Sequence, residues 1–244
     1  MYKAELSLMV LQFIGCWQPK FPSQCVYILY NIYCCFMIFV IYFFTFTTIM
    51  YLFRYNYNLE EFTENFFFSL ALLCATIKIG NLLIKRNKII ELIEMLIDER
   101  FNPQDYIEFQ IQNKFDKISR NGTIMFLVLG GTTIILKATG PLINDNNKML
   151  PYKAWMPDKF EENLSFSMIY GLQAIGSFGA GQASIAIDTF AMTMMLQLCS
   201  QLEILMHRIK KYPYHTLERK IYNNFSQREK NIGIWVQHHQ TMFM

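Results

Sequence analysis

Residues 21–53 read FPSQCVYILYNIYCCFMIFVIYFFTFTTIMYLF, thirty-three positions without an Asp, Glu, Lys or Arg. Twelve of them are aromatic. A helix of about 20 apolar residues crosses a bilayer core of about 30 Å, so this run is long enough to span. Three more runs follow. Phe66–Ile84 holds one charge, Lys78; Thr123–Ile143 holds one, Lys137; Leu164–Leu202 holds one, Asp188, in 39 residues. A 244-residue chain has no soluble core large enough to hide four such runs. Composition agrees: 53% of residues are hydrophobic and 17% charged, against about 25% charged in an ordinary globular chain. That apolar content excludes disorder, and 11 Gly with 7 Pro exclude a fibrous or low-complexity chain. The fold class is an all-α integral membrane protein with four transmembrane helices.

Lys and Arg in the flanking segments orient the spans. Residues 1–20 carry two, Lys85–Gly122 seven, and the chain from Glu203 onward seven. The loop Arg54–Asn65 carries one against three Glu, and Asn144–Asn163 carries three. The alternating sets total sixteen and four, which places both chain ends in the cytosol. No cleavable signal peptide is evident: residues 1–17 lack a basic n-region and a small-residue cleavage site.

The organisation expected is as follows. Residues 1–20 form a short cytosolic interfacial helix, 21–53 span one, and 62–84 span two with a cytosolic extension over 85–101. Span three is 121–143, an extracellular loop covers 144–163, and span four is 164–190 with an extension over 191–210. Residues 211–244 form a cytosolic segment. The extensions rest on periodicity: Ile89, Ile90, Leu92, Ile93, Leu96 and Ile97 recur at helical spacing. No Gly or Pro interrupts Asn81–Asn102 or the stretch from Gln182 to Tyr212. One continuous helix over Phe66–Arg100 and another over Leu164–Ile209 are therefore expected, the second ended by Pro213. Their apolar stripes need partners, which implies a packed cytosolic helical layer. Asp188 then lies at the inner interface.

The six cysteines fall in or near apolar runs, and none sits in an outside loop, so no extracellular disulfide can form within the chain. The four His include one adjacent pair, His238–His239, too few for the His boxes of a di-iron membrane enzyme. No P-loop, GxGxxG or GxSxG occurs. An enzyme is therefore not expected, and no cofactor or metal either. The net charge of +3 follows from the loop asymmetry and gives no reason to expect nucleic-acid binding. Asp188 with Lys78 or Lys137 raises the reading of an ion relay; the plainer reading is that both lysines snorkel or face a hydrated interior. Of the sequons, Asn121 and Asn224 fall on the cytosolic side; Asn163 lies outside but abuts the fourth span.

Span four is rich in small residues: Gly171, Gly176, Gly179, Ala180, Gly181, Ala183 and Ser184. Close helix packing is the plainer reading; a cavity wall is the sharper one. Its outer half carries Phe166, Tyr170, Gln173, Ser177 and Phe178. The second span adds Phe66, Phe67 and Ser69, and the third Thr132, Thr133 and Leu136. An apolar wall with a few polar groups suits a small-molecule pocket.

Three stretches carry a family resemblance. Phe13-Ile-Gly-Cys-Trp-Gln-Pro19 is similar to a Gly-x-Trp-Pro-type segment, and Leu150-Pro-Tyr-Lys-Ala-Trp-Met-Pro157 to a Leu-Pro-aromatic-x-x-Trp-x-Pro loop element. Cys199-Ser-Gln-Leu-Glu-Ile-Leu-Met-His-Arg208 resembles the end of a long fourth helix. All three resemble the insect odorant receptor family, as does Val236–His239, like the approach to its fifth helix. The resemblance implies a tuning subunit of an odorant-gated cation channel, in the plasma membrane of olfactory sensory neurons. Its partners would be small volatile odorants and a shared co-receptor, in a hetero-tetramer within the lipid bilayer. The candidate residues above would then belong to an odorant pocket. In the family that pocket lies among helices two, three, four and six, and the last of seven helices lines the pore. The match reaches about the first four, so a truncated or partial, non-conducting chain is expected. The rival readings are a gustatory receptor of the same superfamily, a G-protein-coupled chemoreceptor, which the charge count disfavours, and a membrane enzyme.

Overall fold

The computed structural model describes residues 5–19, 24–54, 59–97, 102–143, 150–155 and 166–218. Among them the regular structure is helical throughout: α1 Glu5–Phe13, α2 Gln24–Arg54, α3 Leu59–Ile84, α4 Arg86–Ile97, α5 Tyr106–Ile143 and α6 Phe166–Glu218. The helices α2, α3, α5 and α6 are long and apolar enough to cross a membrane, and the four apolar runs of the sequence lie on them. Hydrocarbon offers no partner to a backbone N–H or C=O, so a span satisfies them within its own helix. Leu29 is 70% exposed, Phe39 65% and Phe53 83%; water would not tolerate so large an apolar surface, and lipid covers it. The molecule is an all-α, multi-pass membrane protein. Asn163, Asn224 and Val236–His239 lie outside the described residues.

The chain divides into two compact units, with α5 and α6 contributing to both. Among the described residues, the first comprises Glu5–Arg86 and Gly122–Phe190; the second comprises the described parts of Asn87–Asn121 and Ala191–Glu218.

In the first unit the small residues of α6 are packing positions. A Cβ on Gly176 would stand 2.9 Å from Cβ of Phe44, and one on Gly179 would stand 3.2 Å from Cδ1 of Ile41, so α6 lies tight on α2. Towards α5, a Cβ on Gly131 would stand 2.9 Å from Nε2 of Gln182, and Gly181 faces Ile134 as closely. Within lipid, helices associate through such contacts, because burial from water no longer drives them together. The N-terminal helix α1 buries Ser7, Leu8 and Leu11. Ser7 Oγ lies 3.1 Å from Thr189 Oγ1 on α6, and the Tyr30 phenol of α2 donates to Gln12 O at 2.6 Å. Gly15, at φ 83°, ends α1, with Cys16 N–H donating back to Leu11 O at 2.8 Å. That backbone conformation favours glycine, and it turns Trp17 into a buried position. All six cysteines are free thiols.

The expected continuous helix over Phe66–Arg100 is replaced by two elements, with a turn at Lys85 between α3 and α4. A tertiary contact that periodicity does not carry accompanies the interruption. Arg86 is held by Gln18, through Nη1 to Oε1 at 3.2 Å and Nη2 to the backbone O at 3.1 Å, and its guanidinium lies 5.8 Å from the Trp17 ring centroid. Helix α5 starts at Tyr106, well before Asn121. Helix α6 is unbroken through Asp188 and passes Pro213, ending at Glu218. Pro213 was expected to stop it; a proline removes one i→i−4 bond and strains one turn, and here the helix continues for a little over a turn. The second unit is held by Glu108 on α5, which accepts from Arg208 Nε and Nη2 on α6, both at 2.8 Å. Their side chains are 3% and 10% exposed. Ser119 meets Thr193 at 2.7 Å, and Gln197 Nε2 donates to Asp116 Oδ1 at 3.0 Å.

Candidate functional site

Tyr152 lies on the loop before α6, yet it is 5% exposed. Its ring stacks on Phe68 of α3 with centroids 4.7 Å apart and planes at 8°, and meets Phe44 of α2 edge-on at 5.5 Å and 72°. Offset and edge-on arrangements are those the ring quadrupole favours. Lys137 of α5 sets its ammonium 5.1 Å from the Phe68 centroid and 5.5 Å from that of Tyr152, close enough for cation–π attraction. Three helices thus converge on one loop side chain.

The polar groups converge there too. Tyr152 N–H donates to Gln173 Oε1 of α6 at 3.3 Å, and the Tyr152 phenol faces Ser177, one helical turn further on. Ser177 Oγ in turn donates to Ala174 O at 3.1 Å. Burial pushes the Tyr152 phenol above its ordinary value, so it stays a neutral hydroxyl. The loop is pinned beyond Tyr152 as well. Trp155 N–H donates to Thr47 O at 3.0 Å, the Arg54 guanidinium lies 5.4 Å from the Trp155 ring, and Lys153 pairs with Glu61 at 3.1 Å.

Of the candidate residues, Gln173 is buried and accepts from Tyr152 N–H, and Ser177 is buried beside the Tyr152 phenol. Ser69 is buried and donates weakly to Thr48 O at 3.5 Å. Tyr170 reaches the carbonyl of Ala138 on α5, with Phe166 beside it at 6.1 Å between centroids. Phe178 is half-buried. The others are not brought to Tyr152. Phe66 and Phe67 are exposed and stack among themselves and Phe62. Thr132 and Thr133 return their hydroxyls to Leu129 O and Gly130 O of their own helix, and Leu136 is exposed. Sequence reasoning did not select Phe44, Phe68, Tyr152 or Lys137. The signal was present in part: the Leu150–Pro157 element stood out, and Lys137 is the lone charge of its run.

Lys78 and Asp188 form an ion pair between α3 and α6, with Nζ 2.8 and 2.7 Å from the two carboxylate oxygens and 3.3 Å from Ser184 Oγ. Lys78 and Asp188, two of the residues behind the ion-relay reading, are thus direct partners. In the second unit an open groove of about 490 Å³ is lined by Ile111, Phe115, Leu202, Met206 and His207 among others. It contains none of the candidate residues.

The Tyr152 cluster brings together rings, hydroxyls, an amide and a cation. Among the described residues there is no group of three or more side chains suited to a metal.

Four helices long and apolar enough to cross a membrane define a multi-pass membrane protein. Residues 58–243 match the family model described as 7tm Odorant receptor. The chain belongs to the odorant receptor family and is a chemoreceptor of that superfamily. No curated protein matches it.

Proposed function

We propose that this receptor is a tuning subunit of an odorant-gated cation channel and binds a small volatile molecule at the Tyr152 cluster. The observation that carries the reading is the burial of Gln173 and Ser177 against a loop side chain walled by Phe44, Phe68 and Lys137. A ligand that binds beside Tyr152 alters contacts from α2, α3, α5 and α6 together. It shifts the gating equilibrium by as much as it favours one arrangement of them over the other. Binding suffices; no chemical step is needed. The partners are the shared co-receptor and the lipid bilayer of an olfactory neuron's plasma membrane, with the N-terminus cytosolic, as the Lys and Arg asymmetry supports.

The test is odorant-evoked current from the receptor carrying this sequence, co-expressed with the co-receptor. Tyr152→Ala and Tyr170→Ala should each shift sensitivity by about 1–2 kcal/mol, roughly 5- to 30-fold, through lost contact area, at unchanged surface level. Unmoved dose–response curves for both would refute the site. Orientation is tested separately: a glycosylation acceptor inserted in the loop 144–163, away from the membrane, should be used, and one placed in 85–101 should not. The reverse pattern would return the G-protein-coupled reading.

A further inference from the structure

We infer that the ligand class of this receptor is oxygenated: volatiles carrying a hydrogen-bond acceptor, such as a carbonyl or ester oxygen, recognised by the side-chain amide of Gln173. The inference rests on the pocket reading above and names what that pocket selects.

The argument starts from the valences of one side chain. Gln173 is 3% exposed. Its Oε1 accepts from the Tyr152 backbone N–H at 3.3 Å. Amide oxygen and nitrogen are told apart by their partners, and here the partner is an obligate donor, so the oxygen must face Tyr152. The NH₂ end is thereby fixed on the other side, where Nε2 is buried with no hydrogen-bond partner. A buried donor left unmade costs about 1–3 kcal/mol, and native structures keep few of them.

The neighbouring polar groups do not supply the missing acceptor. Ser177 donates its hydroxyl to Ala174 O and Tyr170 donates its own to Ala138 O, and neither hydroxyl oxygen lies within hydrogen-bond distance of Nε2. The remaining charged group, the Lys137 ammonium over the Phe68 and Tyr152 rings, is itself a donor. What Nε2 lacks is therefore an acceptor within reach. A carbonyl oxygen satisfies Nε2 without requiring a donor in return, and the attached alkyl chain suits the rings of Phe44 and Phe68. A hydrocarbon of the same length gains the apolar contacts but leaves Nε2 as it is.

The experiment compares chain-matched pairs on the receptor co-expressed with the co-receptor: hexyl acetate against nonane, and heptanal against octane. The acceptor-bearing member should act at a concentration about tenfold lower than its hydrocarbon partner. Gln173→Leu, close in volume, should shrink that gap to about twofold by weakening the oxygenated member alone. Loss of the Tyr152 anchor in this variant affects both members of a pair and cancels in the gap. Equal potency within the wild-type pairs, preference for the hydrocarbons, or silence to every oxygenated member would overturn the inference, and each is read on the wild type, so it stands even where Gln173→Leu fails to reach the surface. A gap that persists in Gln173→Leu also overturns it. If Tyr152→Ala meanwhile shifts both members equally, the pocket stands and only the ligand class fails. If neither substitution moves any response, the pocket reading itself has failed.

Discussion

The two units of the molecule are held by different chemistry. In the first, α6 meets α2 and α5 through Gly176, Gly179, Gly131 and Gly181, with rings and single hydroxyls filling the remaining contacts. In the second, α6 meets α5 through Arg208–Glu108, Lys211–Asp105 and Gln197–Asp116. The same helix changes its mode of packing along its length. Lipid tails are as apolar as leucine, so a span gains specificity from shape and close approach. Where water competes, apolar stripes drive association, and paired charges set which helix faces meet.

The sharpest way to break the comparison is at Arg208. Arg208→Ala leaves Glu108 buried and unpaired, which should cost about 3–5 kcal/mol. Thermal unfolding of the detergent-solubilised protein, followed by size-exclusion fluorescence, should show a large loss. Replacing both partners, as Arg208→Met with Glu108→Leu, should restore most of it, because two apolar groups leave no orphan charge. A double variant as unstable as the single would assign the pair a role that pairing alone does not explain.

Next in size is the packing face. Gly176→Val should overpack against Phe44 and cost about 1–3 kcal/mol, lowering surface expression. Gly171, whose added Cβ would meet nothing within 4 Å, is the control; Gly171→Ala should be neutral by surface labelling. Equal effects at the two positions would mean that small residues are not what joins α6 to α2.

The Lys78–Asp188 pair tests the comparison from the other side, since it is a charge pair within the first unit. Its side chains are 38% and 60% exposed, and an exposed pair contributes about 0–1 kcal/mol. Lys78→Met should therefore destabilise far less than Arg208→Ala in the same thermal assay. A loss as large as that of Arg208→Ala would place the pair in hydrocarbon, where a lone carboxylate is expensive.

The smallest effect concerns pH. The hydrogen bond from Lys211 holds the Asp105 carboxyl below its usual range. A depressed carboxylate contributes stability that is full above its unfolded pKa and is lost as pH falls through the folded value. The contribution is therefore fully present near neutral pH, so Lys211→Met should lower stability slightly there, and the difference from wild type should vanish as pH falls through the folded value. Asp105 is exposed, so the step should be slight.

How much was legible in the sequence follows from where each determinant lies along the chain. Ser69, Gln173 and Ser177 stood out because a polar side chain in an apolar helix must find a partner. Phe66, Phe67 and Leu136 looked equivalent to Phe44 and Phe68, because rotation about a helix axis is set by neighbours. Helix α2 shows this most clearly: it is apolar on every side, so its sequence carries no mark of which face turns inward. The early start of α5 was obscured because residues 106–120 alternate charge with single apolar residues that resemble a solvated connection.

The sequence by itself determined four membrane-crossing helices, their apolar character, and the small residues of α6. These are properties of single segments, since each span must close its own hydrogen bonds before it meets another. The tertiary structure alone decided that Tyr152 leaves its loop to sit among four helices, that Lys137 caps two rings, that Arg86 and Gln18 accompany the turn at Lys85, and that Arg208 finds Glu108 a hundred residues away. Each joins residues distant in the chain, and local composition and periodicity do not specify which distant partners meet.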